Sequence, residues 1–277
     1  LGLVAVLLGA CAVSAPPFTP PQQRAQAAGE SPWPQGKVLA LAYHDIEDAD
    51  ASQAYRSVRT ANLIEQLAWL KANGYQAVSV DQLLAARQGG PALPDKAVLL
   101  SFDDGYSSFY TRVLPILKAY QWPAVLAPVG VWMDTPADRP VDFGGLPVAR
   151  ERFVTWAQIH EIAASGLVEI AAHTDALHYG ALANPQGNVQ PAAVTRLYDP
   201  QQKRYESDAE YSARIGQDVV RISAKIEAAS GRAPRVWVWP YGAASGTAPN
   251  SRCWMCVKKA SSAKAICCSA SAPRIRA

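Results

Sequence analysis

Six apolar runs of strand length, separated by stretches with helical period, are the feature that most constrains this chain. The runs are Val38 to Tyr43, Gln76 to Ser79, Ala97 to Phe102, Ala124 to Val129, Leu167 to Ala172 and Arg235 to Trp239. Between them, Thr60 to Asn73 carries Leu63, Leu67 and Leu70 on one helical face and closes at Gly74, and Val113, Leu114 and Leu117 mark a second helix. Thr155 with Gln158 reads as a capping box opening a helix over Trp156 to Ser165. Ser207 with Glu210 opens another that ends near Gly231. Repeated strand-helix order predicts an α/β fold with a parallel sheet and helices outside it. With 277 residues, 49% of them hydrophobic, the chain can bury a substantial core. A net charge of +3, spread along the sequence without a basic tract, gives no sign of nucleic-acid binding.

The polar residues just past the runs are more specific. His44 and Asp45 come after the first, Asp103 and Asp104 after the third, His173 and His178 after the fifth, and Tyr241 after the sixth. In a parallel α/β sheet these carboxyl ends share one face, where active sites of such folds assemble. Asp-Gly alone is common turn punctuation. Two adjacent carboxylates repel, however, and are tolerated chiefly where a cation or a shared proton is present. His173 and His178, five residues apart, would point about 140° apart on a helix, so they are expected to converge from a loop. Two imidazoles and a carboxylate form a three-ligand set for zinc or another divalent ion. The fourth histidine, His160, falls inside a capped helix and reads as surface. Two long loops, Asp134 to Arg152 and Asn184 to Glu206, are expected to frame a cleft.

These residues carry a family resemblance. The segments "SFDDG" (101–105), "HTDALH" (173–178) and "WPYG" (239–242) resemble, in order, motifs of the polysaccharide deacetylases of the NodB-homology class, carbohydrate esterase family 4. "LAYHDI" (41–46) and the "VDFGGLPVARERFVTW" segment make the chain most similar to the exported deacetylases of poly-β-1,6-N-acetylglucosamine, a biofilm polysaccharide. The resemblance implies a distorted (β/α)7 barrel. It implies one divalent metal ion (zinc, or cobalt, nickel or iron) held by Asp104, His173 and His178. It makes Asp103 the general base, His44 the acid that protonates the departing amine, and Tyr241 a backbone donor to the oxyanion. The implied reaction is N-deacetylation of the polysaccharide by a monomer, with release of acetate. Alternative substrates are chitooligosaccharide or peptidoglycan, and the alternative of another class is a non-catalytic carbohydrate-binding remnant. Many members carry an arginine before the Pro-Tyr pair that orients the base. Here Trp237, Val238 and Trp239 stand there, and Arg235 is the nearest cation.

The chain divides into three. Residues 1–36 read as a lipoprotein signal peptide and a Pro- and Gln-rich linker. Leu8-Gly9-Ala10-Cys11 resembles a lipobox, which implies a periplasmic protein anchored to the outer membrane through a lipid on Cys11. Residues 37–246 form the deacetylase domain. Residues 247–277 lack strand alternation or helical period and resemble out-of-frame translation, a tail expected to be disordered, leaving the barrel without its last strand. Cys253, Cys256, Cys267 and Cys268 lie in that tail without the spacing of a zinc knuckle.

Overall fold

A computed structural model describes residues 36–49, 51 and 57–242, together with the backbone of two short strands at 255–258 and 265–267. The predicted signal peptide and linker, Gly36 apart, lie outside the described residues. So does the tail apart from those strands.

The central strands are β1 (Val38–Tyr43), β2 (Gln76–Ala77), β3 (Ala97–Asp104), β4 (Ala124–Pro128), β5 (Val168–Ile170) and β6 (Val236–Val238). The helices are α1 (Thr60–Ala72), α2 (Val80–Arg87), α3 (Leu114–Tyr120), α4 (Gly130–Asp134), α5 (Trp156–Ala164) and α6 (Asp208–Ser230). Strand β3 lies parallel between β1 and β4, β5 comes next beside β4, and β2 pairs with the start of β3. A parallel bridge from Ala172 to Trp237 adds β6 beyond β5. The expected α/β architecture with a parallel sheet is therefore present. Among the described residues no ladder returns from β6 to β1.

Period-two alternation sorts the side chains onto two faces. Val98, Leu100 and Phe102 of β3 pack with Leu126, Val168 and Ile170 in the larger core, joined by Leu63, Leu67, Leu117, Ile159 and Ile222 from the helices. Leu99, Val125, Ala127, Ala171, Val236 and Val238 form a second core on the opposite face, which Val80, Leu83 and Leu84 of α2 contact. Every residue of β3 is buried, as expected of a central parallel strand. Both predicted capping boxes are present, Thr155 with Gln158 and Ser207 with Glu210, and α6 ends at Gly231 with φ of 76°. A third box, Ser79 with Gln82, opens α2. No described helix is long and apolar enough to cross a membrane.

Three expectations need correction. Strand β3 runs two residues beyond Phe102, so Asp103 and Asp104 are its last residues rather than part of a turn after it. The tail contributes strands β7 (Met255–Lys258) and β8 (Ala265–Cys267), with β7 antiparallel on β6 and β8 on β7. The edge of β6 expected to be bare is thus paired, because an edge strand's free N–H and C=O groups are a template for any extended chain within reach. Finally, both long loops contain hairpins: Val141–Phe143 pairs with Leu146–Val148, and Tyr198–Asp199 with Arg204–Tyr205.

The turn after β3 sets the position of both carboxylates. Asp104 has φ of 73° and Gly105 φ of 80°, so two successive residues occupy the left-handed region. A Cβ on Gly105 would lie 3.0 Å from Pro128 Cβ and 3.1 Å from its Cα. Only glycine fits both the conformation and the space. Gly105→Ala should destabilise the fold by about 2 kcal/mol or more, from left-handed strain plus the contact with Pro128. For a domain of this size that is a fall in Tm of about 4–8 °C, read by thermal unfolding. An unchanged Tm would show that the turn tolerates a side chain.

Candidate active site at the carboxyl ends of the strands

Asp104, His173 and His178 each offer a ligand-capable atom, and these atoms lie within 4.8 Å of one another. Asp104 Oδ1 is 3.4 Å from His173 Nε2 and 3.2 Å from His178 Nε2. The two histidines come from the loop after β5, converging as expected. His173 Nδ1 lies 2.8 Å from the carbonyl of Val238, which fixes that nitrogen as the N–H donor and leaves Nε2 facing Asp104.

The electrostatics favour positive charge beside Asp104. Burial alone would raise the Asp104 carboxyl, but the adjoining His178 and His173 rings outweigh it and hold the group far below the usual carboxylate range. Burial likewise works against a charged His173, yet Asp104 and Asp103 together push its pKa up. A cluster that retains protons this way draws cations. Asp104 Oδ1 is buried and makes no hydrogen bond, an orphaned acceptor of the kind that a ligated ion satisfies. One carboxylate oxygen and two imidazole nitrogens fit a divalent ion such as zinc.

Asp103 stands beside this set. Burial raises its carboxyl above the ordinary aspartate range, opposed by His173 and by His44. Its Oδ1 accepts a 2.9 Å hydrogen bond from Ser101 Oγ. Ser101 is two residues back on the same face of β3. The strand's alternation could have revealed it as the orienting group.

Arg235 does not take that part. Its guanidinium binds Glu169 at 2.7 and 3.0 Å and Asp81 at 2.5 Å. Its strand β6 is separated from that of Asp103 by β4 and β5, and its guanidinium is committed to these two carboxylates.

His44 is half-buried, and the backbone after it is pinned. Asp45 accepts hydrogen bonds from Ser108 Oγ at 2.6 Å and Arg152 Nη2 at 2.5 Å, and Ile46 N–H donates to the same Ser108 oxygen. Tyr241, half exposed with φ of 61°, places its ring 4.7 Å from that of His178. All six expected site residues therefore gather at one end of the sheet. His160 is on the surface of α5, its Nδ1 3.0 Å from the carbonyl of Ala229.

Aromatic walls, not anticipated from sequence, complete the site. Trp132 meets His178 edge-on at 4.8 Å, and Phe143 lies 6.0 Å from the same ring. A hollow of about 430 Å3 opens beside His178, lined by Trp132, Asp142, Gly144, Gly145 and Tyr179 among others. The first long loop borders this hollow as expected; the second does not. Arg214 of α6 holds the second loop through Glu206 and the carbonyls of Ala192 and Thr195.

A parallel α/β sheet thus bears a buried carboxylate and two imidazoles at its carboxyl ends, the donor set of a candidate divalent-cation site, beside a second carboxylate. The polysaccharide deacetylase family model matches residues 90–252, and the chain belongs to that family. It is 51% identical over 244 residues to the poly-β-1,6-N-acetyl-D-glucosamine N-deacetylase of Escherichia coli strain K12. That alignment covers 88% of this chain and 36% of the relative, so the chain spans about a third of the length of the curated proteins it matches. Among solved structures, a de-N-acetylase from Aggregatibacter actinomycetemcomitans superposes with a TM-score of 0.70 at 45% identity, over 76% of this chain and 81% of that one. The BpsB deacetylase domain from Bordetella bronchiseptica gives 0.68 at 42%, over 76% and 83%.

The ligand set makes a direct prediction. His178→Ala should reduce bound zinc in the purified protein from near one equivalent to a small fraction, read by elemental analysis after dialysis. Unchanged metal content in that variant would remove His178 from the set.

Proposed function

We propose that this chain is a metal-dependent deacetylase that removes acetyl groups from N-acetylglucosamine residues of a β-1,6-linked polysaccharide. The observation that carries the reading is the buried Asp104, His173 and His178 cluster with Asp103 beside it, in a chain half identical to proteins bearing that activity in their names. The names of those relatives favour the β-1,6 linkage over chitooligosaccharide or peptidoglycan.

Asp104, His173 and His178 would hold one divalent cation, whose chemistry there is Lewis-acid charge stabilisation and the acidification of water. Asp103 accepts the proton of the attacking water on its carboxylate, and Ser101 keeps that carboxylate aimed. The elevated proton affinity that burial gives Asp103 suits a base that must take a proton near neutrality. His44 donates a proton to the amide nitrogen as the C–N bond breaks, so the sugar leaves as an amine and the acyl group as acetate. The Tyr241 backbone N–H, presented by the tight Pro240–Gly242 turn, donates to the developing oxyanion. Trp132 and Phe143 provide apolar faces against which a sugar ring and an acetyl methyl can pack.

Acetate release from β-1,6-linked N-acetylglucosamine oligomers, with and without chelator, tests the activity. Asp103→Asn should keep its zinc and lower kcat by about 10²- to 10⁴-fold, since an amide cannot take the water proton. Turnover at the wild-type rate with metal bound would exclude Asp103 from the chemistry. The Leu8 to Cys11 segment supports export and lipid anchoring at the outer membrane. Cys11→Ser should move the protein from the membrane to the soluble fraction and abolish labelling by a radioactive fatty acid. Absence of label on the wild type would end the lipoprotein reading.

A further inference from the structure

The strongest unassigned feature is a charged group buried in the middle of a helix. Asp218, on the third turn of α6, has no exposed surface. An isolated buried carboxylate is costly, so its partners show what it is for. Its hydrogen-bond donors all belong to one short segment, while Arg221 Nη2, one turn along the same helix, lies 3.7 Å from Oδ2. Asp218 Oδ1 accepts from Thr174 Oγ at 2.8 Å and from the Asp175 N–H at 2.8 Å, and Oδ2 accepts from the Ala176 N–H at 2.8 Å. Thr174 Oγ in turn accepts from the Leu177 N–H at 2.8 Å. Those four residues are the chain between His173 and His178.

Two carbonyls of that segment are held from the other side. Gly130 N–H donates to the Thr174 carbonyl at 3.0 Å, and Val131 N–H to the Asp175 carbonyl at 2.9 Å. A Cβ on Gly130 would lie 2.3 Å from Asp175 Oδ1, so the start of α4 presses directly against this turn. Farther along α6, Arg221 and Lys225 bind the outer carboxylate of Asp175. The path between the two imidazoles is therefore fixed by hydrogen bonds on both sides, with Asp218 at their centre.

We propose that Asp218 is a positioning residue of the cation site: its carboxylate sets the path of residues 174–176 and thereby the separation and orientation of the His173 and His178 rings. This rests on the reading of Asp104, His173 and His178 as ligands of one divalent ion. The chemistry of the group supports the assignment. A carboxylate only accepts hydrogen bonds, and three donors converge on it. An amide of the same shape must turn an NH2 toward at least one of those donors, leaving the turn unable to close in the same way. The effect reaches the ion only through the histidines, as with other outer partners of metal ligands, whose loss typically weakens metal affinity about 10- to 100-fold.

The test is titration of the metal-stripped protein with Co2+, monitored by visible absorption against a competing chelator. It is carried out at a temperature where far-UV circular dichroism shows each variant fully folded. Asp218→Asn should bind Co2+ about 10- to 100-fold more weakly and change the intensity of the ligand-field bands. Thr174→Val should weaken binding by a smaller factor, and Thr174→Ser, which keeps the hydroxyl, should restore it. A merely structural Asp218 would lower Tm and leave affinity and spectrum unchanged; that result in a folded Asp218→Asn protein overturns the proposal. If Asp218→Asn does not fold, the Thr174 pair decides: wild-type affinity in Thr174→Val overturns it, and a loss recovered by Thr174→Ser supports it. Failure of the wild type to bind Co2+ would instead overturn the ligand reading and this inference with it.

Discussion

Carboxylates taken out of water govern this structure. Asp103, Asp104, Asp175 and Asp218 are all nearly or fully buried near one end of the sheet, where unpaired charge costs several kcal/mol per group. Each is compensated in a different way. Asp218 has peptide N–H groups and a hydroxyl, Asp175 has Arg221 and Lys225, and Asp103 has Ser101. Asp104 keeps a fully buried oxygen without a hydrogen bond, and the nearest charged or ionisable groups to it are imidazoles. The demand for one more positive charge is thereby concentrated at a single atom, and the surrounding network keeps that atom in place.

The face of the sheet that carries Asp103 holds a second buried carboxylate. Glu169 of β5 is buried there and bound by Arg235 and Arg232, while Asp81 of α2 takes the outer side of Arg235. Both carboxylates share that face with the small core of Leu99, Val125, Ala127, Ala171, Val236 and Val238. Glu169 is satisfied by permanent partners, as a structural group is, whereas Asp104, the last residue of β3, keeps a buried oxygen without a hydrogen bond.

Sequence made much of this legible because the signals are local. Period-two apolar runs located the strands, two capping boxes located the starts of α5 and α6, and polar residues just past the strands located the site. What stayed hidden depends on tertiary distance. Arg235 reads as the cation nearest the Pro-Tyr pair along the sequence, but β4 and β5 stand between its strand and that of Asp103, and Glu169 and Asp81 take its guanidinium. Trp132 and Phe143 belong to a helix and a hairpin whose approach to His178 leaves no periodic trace. Asp218 sits among Arg214, Arg221 and Lys225 and looks like part of a solvated helix face; only its burial separates it from them. Ser101 is the exception, since simple alternation from Asp103 reaches it.

The parallel pairing of the strands also sets when the site can exist. His44, Asp103, His173 and Tyr241 stand at the ends of four different strands, separated by about 60 to 70 residues of chain from one to the next. Parallel neighbours cannot be joined by tight hairpins, so each pairing closes a long loop and loses chain entropy before its contacts form. A sheet built from such non-local contacts folds slowly compared with one built from hairpins. The reactive cluster is complete only when all of those closures have been made. An ion that binds only the assembled cluster draws the folding equilibrium toward the complete sheet, and the catalytic centre then acts as a latch on the topology that creates it.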